Sequence, residues 1–183
     1  MKNITIYSKD NMIEESVFEE VWKLMELSFP SDERWDRDGF LSEYENAEFR
    51  SLVYRPDDKL GGVMDFWDFG SFIYIEHFAV QPQLRGQGIG AALMAELSHI
   101  ADGRMYLLEA EPPQDSDIAA RRIAFYERLG FALNSYEYIQ PAMGKDEHPV
   151  PLVIMSAPSA LSEEQFVAAR DKMYERVYHG CTP

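Results

Sequence analysis

The stretch that decides the fold is VQPQLRGQGIGAALM, residues 80–94. An apolar alternating run ends at Val80, and Ile89, Leu93, Leu97 and Ile100 then recur at i, i+4, i+8 and i+11. The hydrophobic period therefore changes from strand to helix inside this segment, and Gly103 closes the helix. Gly86, Gly88 and Gly90 alternate at the hand-over. Glycines there let backbone come close to a ligand. The first N–H groups of a helix have no intrahelical partner, so with the helix dipole they form an anion site, the dipole part worth about 0.3–1 kcal/mol per anionic group. No acidic residue lies between Arg85 and Glu96, in a chain of formal net charge −15. A polyanion meets least repulsion there.

Upstream of this segment the pattern is mostly strand. A short alternating strand around ITIY (residues 4–7) precedes a helix over residues 14–29, where Val17, Val21, Leu24, Met25 and Phe29 share a face until Pro30 ends it. Residues 31–49, polar with scattered aromatics, read as a loop with one short helix and as a candidate substrate lid. Strands follow over residues 49–55, 61–69 and 71–80, joined by the turn PDDK and a turn at Asp68, Phe69 and Gly70. Downstream, RMYLLEA (104–110) is a strand stopped by Pro112 and Pro113, and Asp115 or Ser116 caps a helix to Leu129 with Gly130 beyond it. FALNSYEYI (131–139) and PVPLVIMS (149–156) read as two further strands, and the capping box Ser162 to Gln165 opens a final helix. This order predicts an α/β (α+β) fold: a mixed, mostly antiparallel central sheet with helices on both faces. One domain is expected over 1–183, a core of 1–157 carrying a C-terminal helical extension over 158–183.

At 183 residues, 46% hydrophobic and 27% charged, the composition is that of a water-soluble globule. No uncharged apolar run approaches the roughly 20 residues of a membrane helix, and the first residues lack the apolar core of a signal peptide, which predicts a cytoplasmic protein. The single Cys181 agrees with a reducing compartment and excludes an internal disulfide or cysteine metal cluster. Residues 1–80 hold 8 Lys and Arg against 18 Asp and Glu. Such a field excludes nucleic acid and anionic membrane as main partners, because both are bound by neutralising phosphates. It also suits a cationic substrate, although acidic surface can serve solubility alone.

Two polyphosphate rivals share the glycine pattern. Gly86-x-Gly88-x-x-Ala91 satisfies a variant dinucleotide fingerprint, with Glu109 and Glu111 about 20 residues on, where a ribose-binding acid falls. An NAD(P)-dependent Rossmann-type enzyme is thus an alternative. Against it, residues 81–85 separate the strand from the first glycine, and about 80 residues of antiparallel character come first. A P-loop is weaker, since no Gly-Lys-Ser/Thr follows.

Val80-x-Pro82-x-x-Arg85-Gly86-x-Gly88-Ile89-Gly90, followed by Phe125-Tyr126-Glu127-Arg128-Leu129-Gly130-Phe131, resembles the two hallmark motifs of the GNAT acyl-CoA N-acyltransferases. The resemblance covers residues 72–131 closely. It implies an acetyl-CoA-dependent N-acetyltransferase whose sheet splays into a V around the cofactor. Pyrophosphate would lie on the amides of residues 85–91, here Arg85, Gly86, Gln87, Gly88, Ile89, Gly90 and Ala91. Pantetheine would lie along Phe78, Ala79 and Val80. The chain departs from the pattern at Ala119, where the family commonly has asparagine, and at Arg122, a usually small position that can instead reach a CoA phosphate.

Acetyl transfer from a thioester to an amine needs a neutral amine, aligned reactants, a stabilised oxyanion and a protonated leaving thiolate. The resemblance assigns the thiolate-protonating role to Tyr126. On a helical wheel Ile118, Phe125 and Leu129 form the apolar stripe, with Tyr126 about 80° away beside Ala119 and Arg122. Strand alternation sets Glu76 on one face with Phe72, Tyr74, Phe78 and Val80, making it the candidate base. A bulge would flip that parity, which keeps His77 in reserve. Glu109 and Glu111 share a strand face and are candidates for holding a cationic acceptor. Expected partners are a small-molecule or amino-terminal amine, with no metal, nucleic acid or membrane; a homodimer is left open. A catalytically inactive acyl-CoA-binding sensor is the non-enzyme alternative.

Overall fold

The computed structural model describes residues 3–142 and 148–183. The chain forms two compact units, Met1–Gly103 and Arg104–Pro183. Among the described residues these hold eight strands and five α-helices, in the mostly antiparallel α/β arrangement expected.

In the first unit β1 (Ile4–Ser8), β2 (Phe49–Tyr54), β3 (Gly62–Asp68) and β4 (Phe72–Val80) pair antiparallel in chain order. The β3–β4 turn is held by Asp68, whose Oδ1 accepts from the Gly70 N–H at 3.0 Å. Helix α1 (Glu15–Ser28) buries Val17, Phe18, Val21, Trp22, Leu24 and Met25, each such large side chain stabilising by about 1.5–3 kcal/mol. It stops where Phe29, the residue before Pro30, turns extended. Helix α2 (Arg37–Glu43) is capped by Asp36, which accepts from the Gly39 N–H. The segment read as a lid is instead anchored: Phe40 and Tyr44 are fully buried and pack with Phe18 and Phe49.

Helices cover both faces of this sheet. Cross-strand partners share a face, so Val63, Asp65 and Trp67 stand with Ala79, His77 and Tyr74, while Gly62, Met64 and Phe66 stand with Val80, Phe78 and Ile75. On the first face the rings of Phe29 and Phe40 meet His77. On the second lies α3 (Ile89–Ala101), so close that a Cβ on Gly62 would come 3.3 Å from Ile89 and Leu93.

The second unit contains β5 (Met105–Ala110), α4 (Asp117–Arg128), β6 (Ala132–Leu133), β7 (Tyr138–Gln140), β8 (Val150–Ala157) and α5 (Glu163–Arg176). Strand β8 pairs antiparallel with β5, β6 and β7. The single strand expected over 131–139 is two short ones. Buried Asn134 interrupts it, its side chain donating to Ile154 O and Ser156 Oγ and accepting from the Leu161 N–H. The capping box at Ser162 and Gln165 forms as read, and α5 buries Phe166, Ala169 and Met173.

Candidate functional site

The β4–α3 connection carries the phosphate-cradling segment in the first unit. After Val80 the Gln81 N–H donates to Gly61 O, and a short 3₁₀ turn, Pro82–Leu84, separates the strand from the glycines. Gly86 and Gly88 have φ of +77° and +82°, which L side chains rarely adopt, and a Cβ on either would meet nothing within 4 Å. Gly88 is also the N-cap of α3 and supplies no side-chain cap. Arg85, Gly86, Gln87 and Gly88 are exposed, and Arg85 Nε donates to Val80 O at 3.2 Å. The residues present fit an anionic group: uncapped amides at a helix start, open space where side chains would stand, and no acidic residue between Arg85 and Glu96 in the chain.

Upstream on β4 the expected alternation fails at one residue. Phe66 pairs with Ile75 but its neighbour Asp65 pairs with His77, so Glu76 is an extra residue, a β-bulge. The face predicted to hold Phe72, Tyr74, Glu76, Phe78 and Val80 together is therefore split, with Tyr74 and Phe78 on opposite sides. Glu76 is half-buried and its Oε2 accepts from Trp67 Nε1 at 2.8 Å. His77 is turned inward at 2% exposure, and burial drives its imidazole down to about 3 against the pull of the Glu33 backbone. Asp65, wholly buried opposite it, is pushed up to about 7 by burial, partly offset by the Ser51 hydroxyl. Neutral, enclosed His77 is poorly suited to take up a proton.

Burial also changes the charge reading. Glu43 on α2 is 3% exposed and burial raises it to about 8, so this acid and Asp65 contribute little to the negative surface of the first unit near pH 7.

In the second unit α4 is capped by Ser116, which accepts from the Ala119 N–H. Its buried stripe is Ala119, Ile123 and Tyr126, whereas Ile118 is 67% exposed and Phe125 and Leu129 are half-buried. The wheel reading is thus corrected by about one position: Tyr126 lies on the core face, between the rings of Phe125 and Phe131 at 5.5 and 5.6 Å. Burial raises its hydroxyl to about 12, with Arg122 pulling the other way. It stays protonated at neutral pH.

Arg122 Nη1 donates to Glu111 Oε2 at 2.9 Å. The candidate phosphate contact and one candidate acceptor contact are therefore partners of each other. Glu109 accepts from the hydroxyls of Tyr138 and Tyr178. Sequence reasoning found neither tyrosine, because Tyr178 is 69 residues away with no local pattern linking them. It also missed Trp67 as the donor to Glu76.

The sequence profile of the "Acetyltransferase (GNAT) family" matches residues 15–131. A Bacillus subtilis (strain 168) protein named as an acetyltransferase, YjbC, is 30% identical over 131 residues, 70% of this chain and 67% of that protein. Among solved structures, one named as a GNAT-family acetyltransferase from Bacteroides thetaiotaomicron matches with a TM-score of 0.84 at 28% identity, covering 96% of this chain and 97% of its own. An aminoglycoside 6'-N-acetyltransferase complexed with coenzyme A matches with a TM-score of 0.61 at 15% identity, covering 84% of this chain and 94% of its own. That last likeness is one of fold.

Proposed function

Because this chain belongs to the GNAT acetyltransferase family, we propose that it transfers an acetyl group directly from acetyl-CoA to a primary amine, a small cationic acceptor. The observation that carries the cofactor is the start of α3: glycines with left-handed φ at 86 and 88, exposed backbone from 85 to 88, and a helix N-terminus without a side-chain cap. The amides of residues 85–91 would hold the pyrophosphate, and Phe78, Ala79 and Val80 would line the pantetheine arm. When bound, acetyl-CoA supplies an acyl group activated as a thioester.

The chain's own groups supply proton transfers. Glu76 accepts a proton from the acceptor's ammonium group, leaving the neutral amine that can attack; Trp67 Nε1 orients the carboxylate for this. With acetyl-CoA bound, Tyr126, protonated at neutral pH, would give its hydroxyl proton to the departing sulfur and recover one from the acceptor nitrogen as the amide forms. Arg122 is the cation offered to a CoA phosphate, at the expense of its pairing with Glu111. Of the two acceptor candidates, Glu111 exchanges an ion pair about 40% exposed on each side, while Glu109 must give up two tyrosine donors. Exchange at Glu111 is the cheaper.

Two measurements test this reading. CoA should raise the melting temperature and NAD(P) should not, since only a ligand that binds the native state stabilises it. Tyr126→Phe should lower turnover at least about tenfold with CoA affinity intact. Stabilisation by NAD(P) would return the dinucleotide alternative, and CoA binding without acetyl transfer across an amine panel would favour a sensor.

A further inference from the structure

The bulge on β4 lies beside a buried polar row. Asp65 on β3 pairs with Ser51 of β2 on one side and with His77 of β4 on the other, so three polar side chains cross three strands on one face. None is more than 2% exposed. Asp65 Oδ2 and His77 Nδ1 stand 3.8 Å apart, and Phe29 and Phe40 close edge-on over the imidazole at 5.0 and 5.8 Å. Well-packed apolar residues at such positions are commonly as stable or more so; buried polar groups are best attested where they choose between alternative registers.

Such a choice exists here. The β3–β4 turn sets the pairs Asp68 with Ile73, Trp67 with Tyr74 and Phe66 with Ile75. Continued without interruption, that register would set Asp65 opposite Glu76, two carboxylates face to face, and His77 opposite Met64 on the α3 side. With one extra residue, Asp65 meets His77 instead and Glu76 is left to reach Trp67.

We propose that Asp65 and His77 are positioning residues: their pairing selects the register in which Glu76 is the extra residue, and so aims the Glu76 carboxylate at the Trp67 indole. The catalytic consequence rests on the reading of Glu76 as base; the register claim does not.

The test replaces the row by an apolar one, Asp65→Val with His77→Leu, and follows the indole N–H resonances in a ¹H–¹⁵N spectrum, Trp67 among the three tryptophans being assigned through Trp67→Phe. The double variant should melt at or near the wild-type temperature, while its Trp67 indole resonance shifts to that of an indole without a carboxylate acceptor. Its kcat should fall at least about tenfold, and KM for acetyl-CoA should rise, because the slipped register also turns Phe78 and Val80 to the opposite face. Asp65→Asn, which can still meet His77, should keep the wild-type resonance. A folded double variant with an unshifted Trp67 resonance overturns the proposal. Should the double variant not fold, His77→Leu against His77→Gln makes the same comparison with the same decisive resonance. Glu76→Gln separates the two readings: full turnover there removes the base, while the indole comparison still decides the register.

Discussion

Trp67 donates its indole N–H to Glu76 at 2.8 Å although its strand partner is Tyr74, two residues earlier. The contact exists because Glu76 is the residue by which β4 outruns β3. A hydrogen bond to an ionised carboxylate contributes about 1.5–3 kcal/mol, enough to hold one rotamer of a half-buried side chain. Trp67→Phe keeps an aromatic ring and removes the donor. Turnover should fall by about three- to tenfold while KM for acetyl-CoA stays constant, since the loss concerns orientation of the base. An unchanged kcat would remove the orienting role.

Gly88 caps α3 with φ of +82° and open space beside it. In Gly88→Ala the methyl clashes with nothing, so the penalty is conformational, about 1–2 kcal/mol for a left-handed L-residue. The turn will either bear that strain or change shape. Affinity for CoA measured by titration calorimetry should weaken at least about tenfold, with the melting temperature only slightly lower. Retained affinity would mean that the amides of this turn do not hold the pyrophosphate.

Asp65 and His77 titrate in opposite senses, which fixes a pH signature. Asp65 binds its proton up to about pH 7 when folded, whereas an unfolded aspartate releases it near pH 4. Its contribution to stability therefore declines between about pH 4 and 7. His77 stays neutral down to about 3 when folded, whereas an unfolded histidine protonates near 6.5, so its contribution grows over about pH 3 to 6.5. In the wild type the two slopes largely cancel. Removing Asp65's proton in Asp65→Asn should leave stability rising with pH by about 1.4 kcal/mol per unit below pH 6.5, relative to wild type. In His77→Gln stability should fall towards pH 7. Urea midpoints across pH 4–7 measure both, and equal slopes in all three proteins would refute the assignment.

Arg122 and Glu111 form a half-exposed pair, worth little to folding because water screens it. Arg122→Ala should leave the melting temperature nearly unchanged and raise KM for acetyl-CoA several-fold, about 1 kcal/mol of lost phosphate attraction. Unaltered affinity for CoA would end the phosphate role. Glu111→Gln should act oppositely on KM, by releasing the guanidinium.

Legibility in the sequence followed the range of each interaction. The β4–α3 hand-over, the stop at Pro30, the Asp68 turn and the capping box at Ser162 are local, and all four form as read. The bulge at Glu76 was legible only as a condition, because it depends on what β3 places opposite. The stripe of α4 was misplaced because its apolar residues Ile118 and Phe125 outweighed Ala119 and Ile123, and exposure of Ile118 is decided by tertiary packing. Asn134 ended a strand through partners 20 to 27 residues distant. Tyr138 and Tyr178 on Glu109, like Trp67 on Glu76, are contacts between elements, which no period in one element encodes.

Tyr178, just past the end of α5, has its ring buried and its hydroxyl on both oxygens of Glu109 in β5, at 3.0 and 2.8 Å. A protease clipping the chain after Val177 would thus reach inward to the sheet: it would strip a donor from a carboxylate in β5 and open the space its ring had filled. Damage just past α5 would be felt in the interior of the second unit.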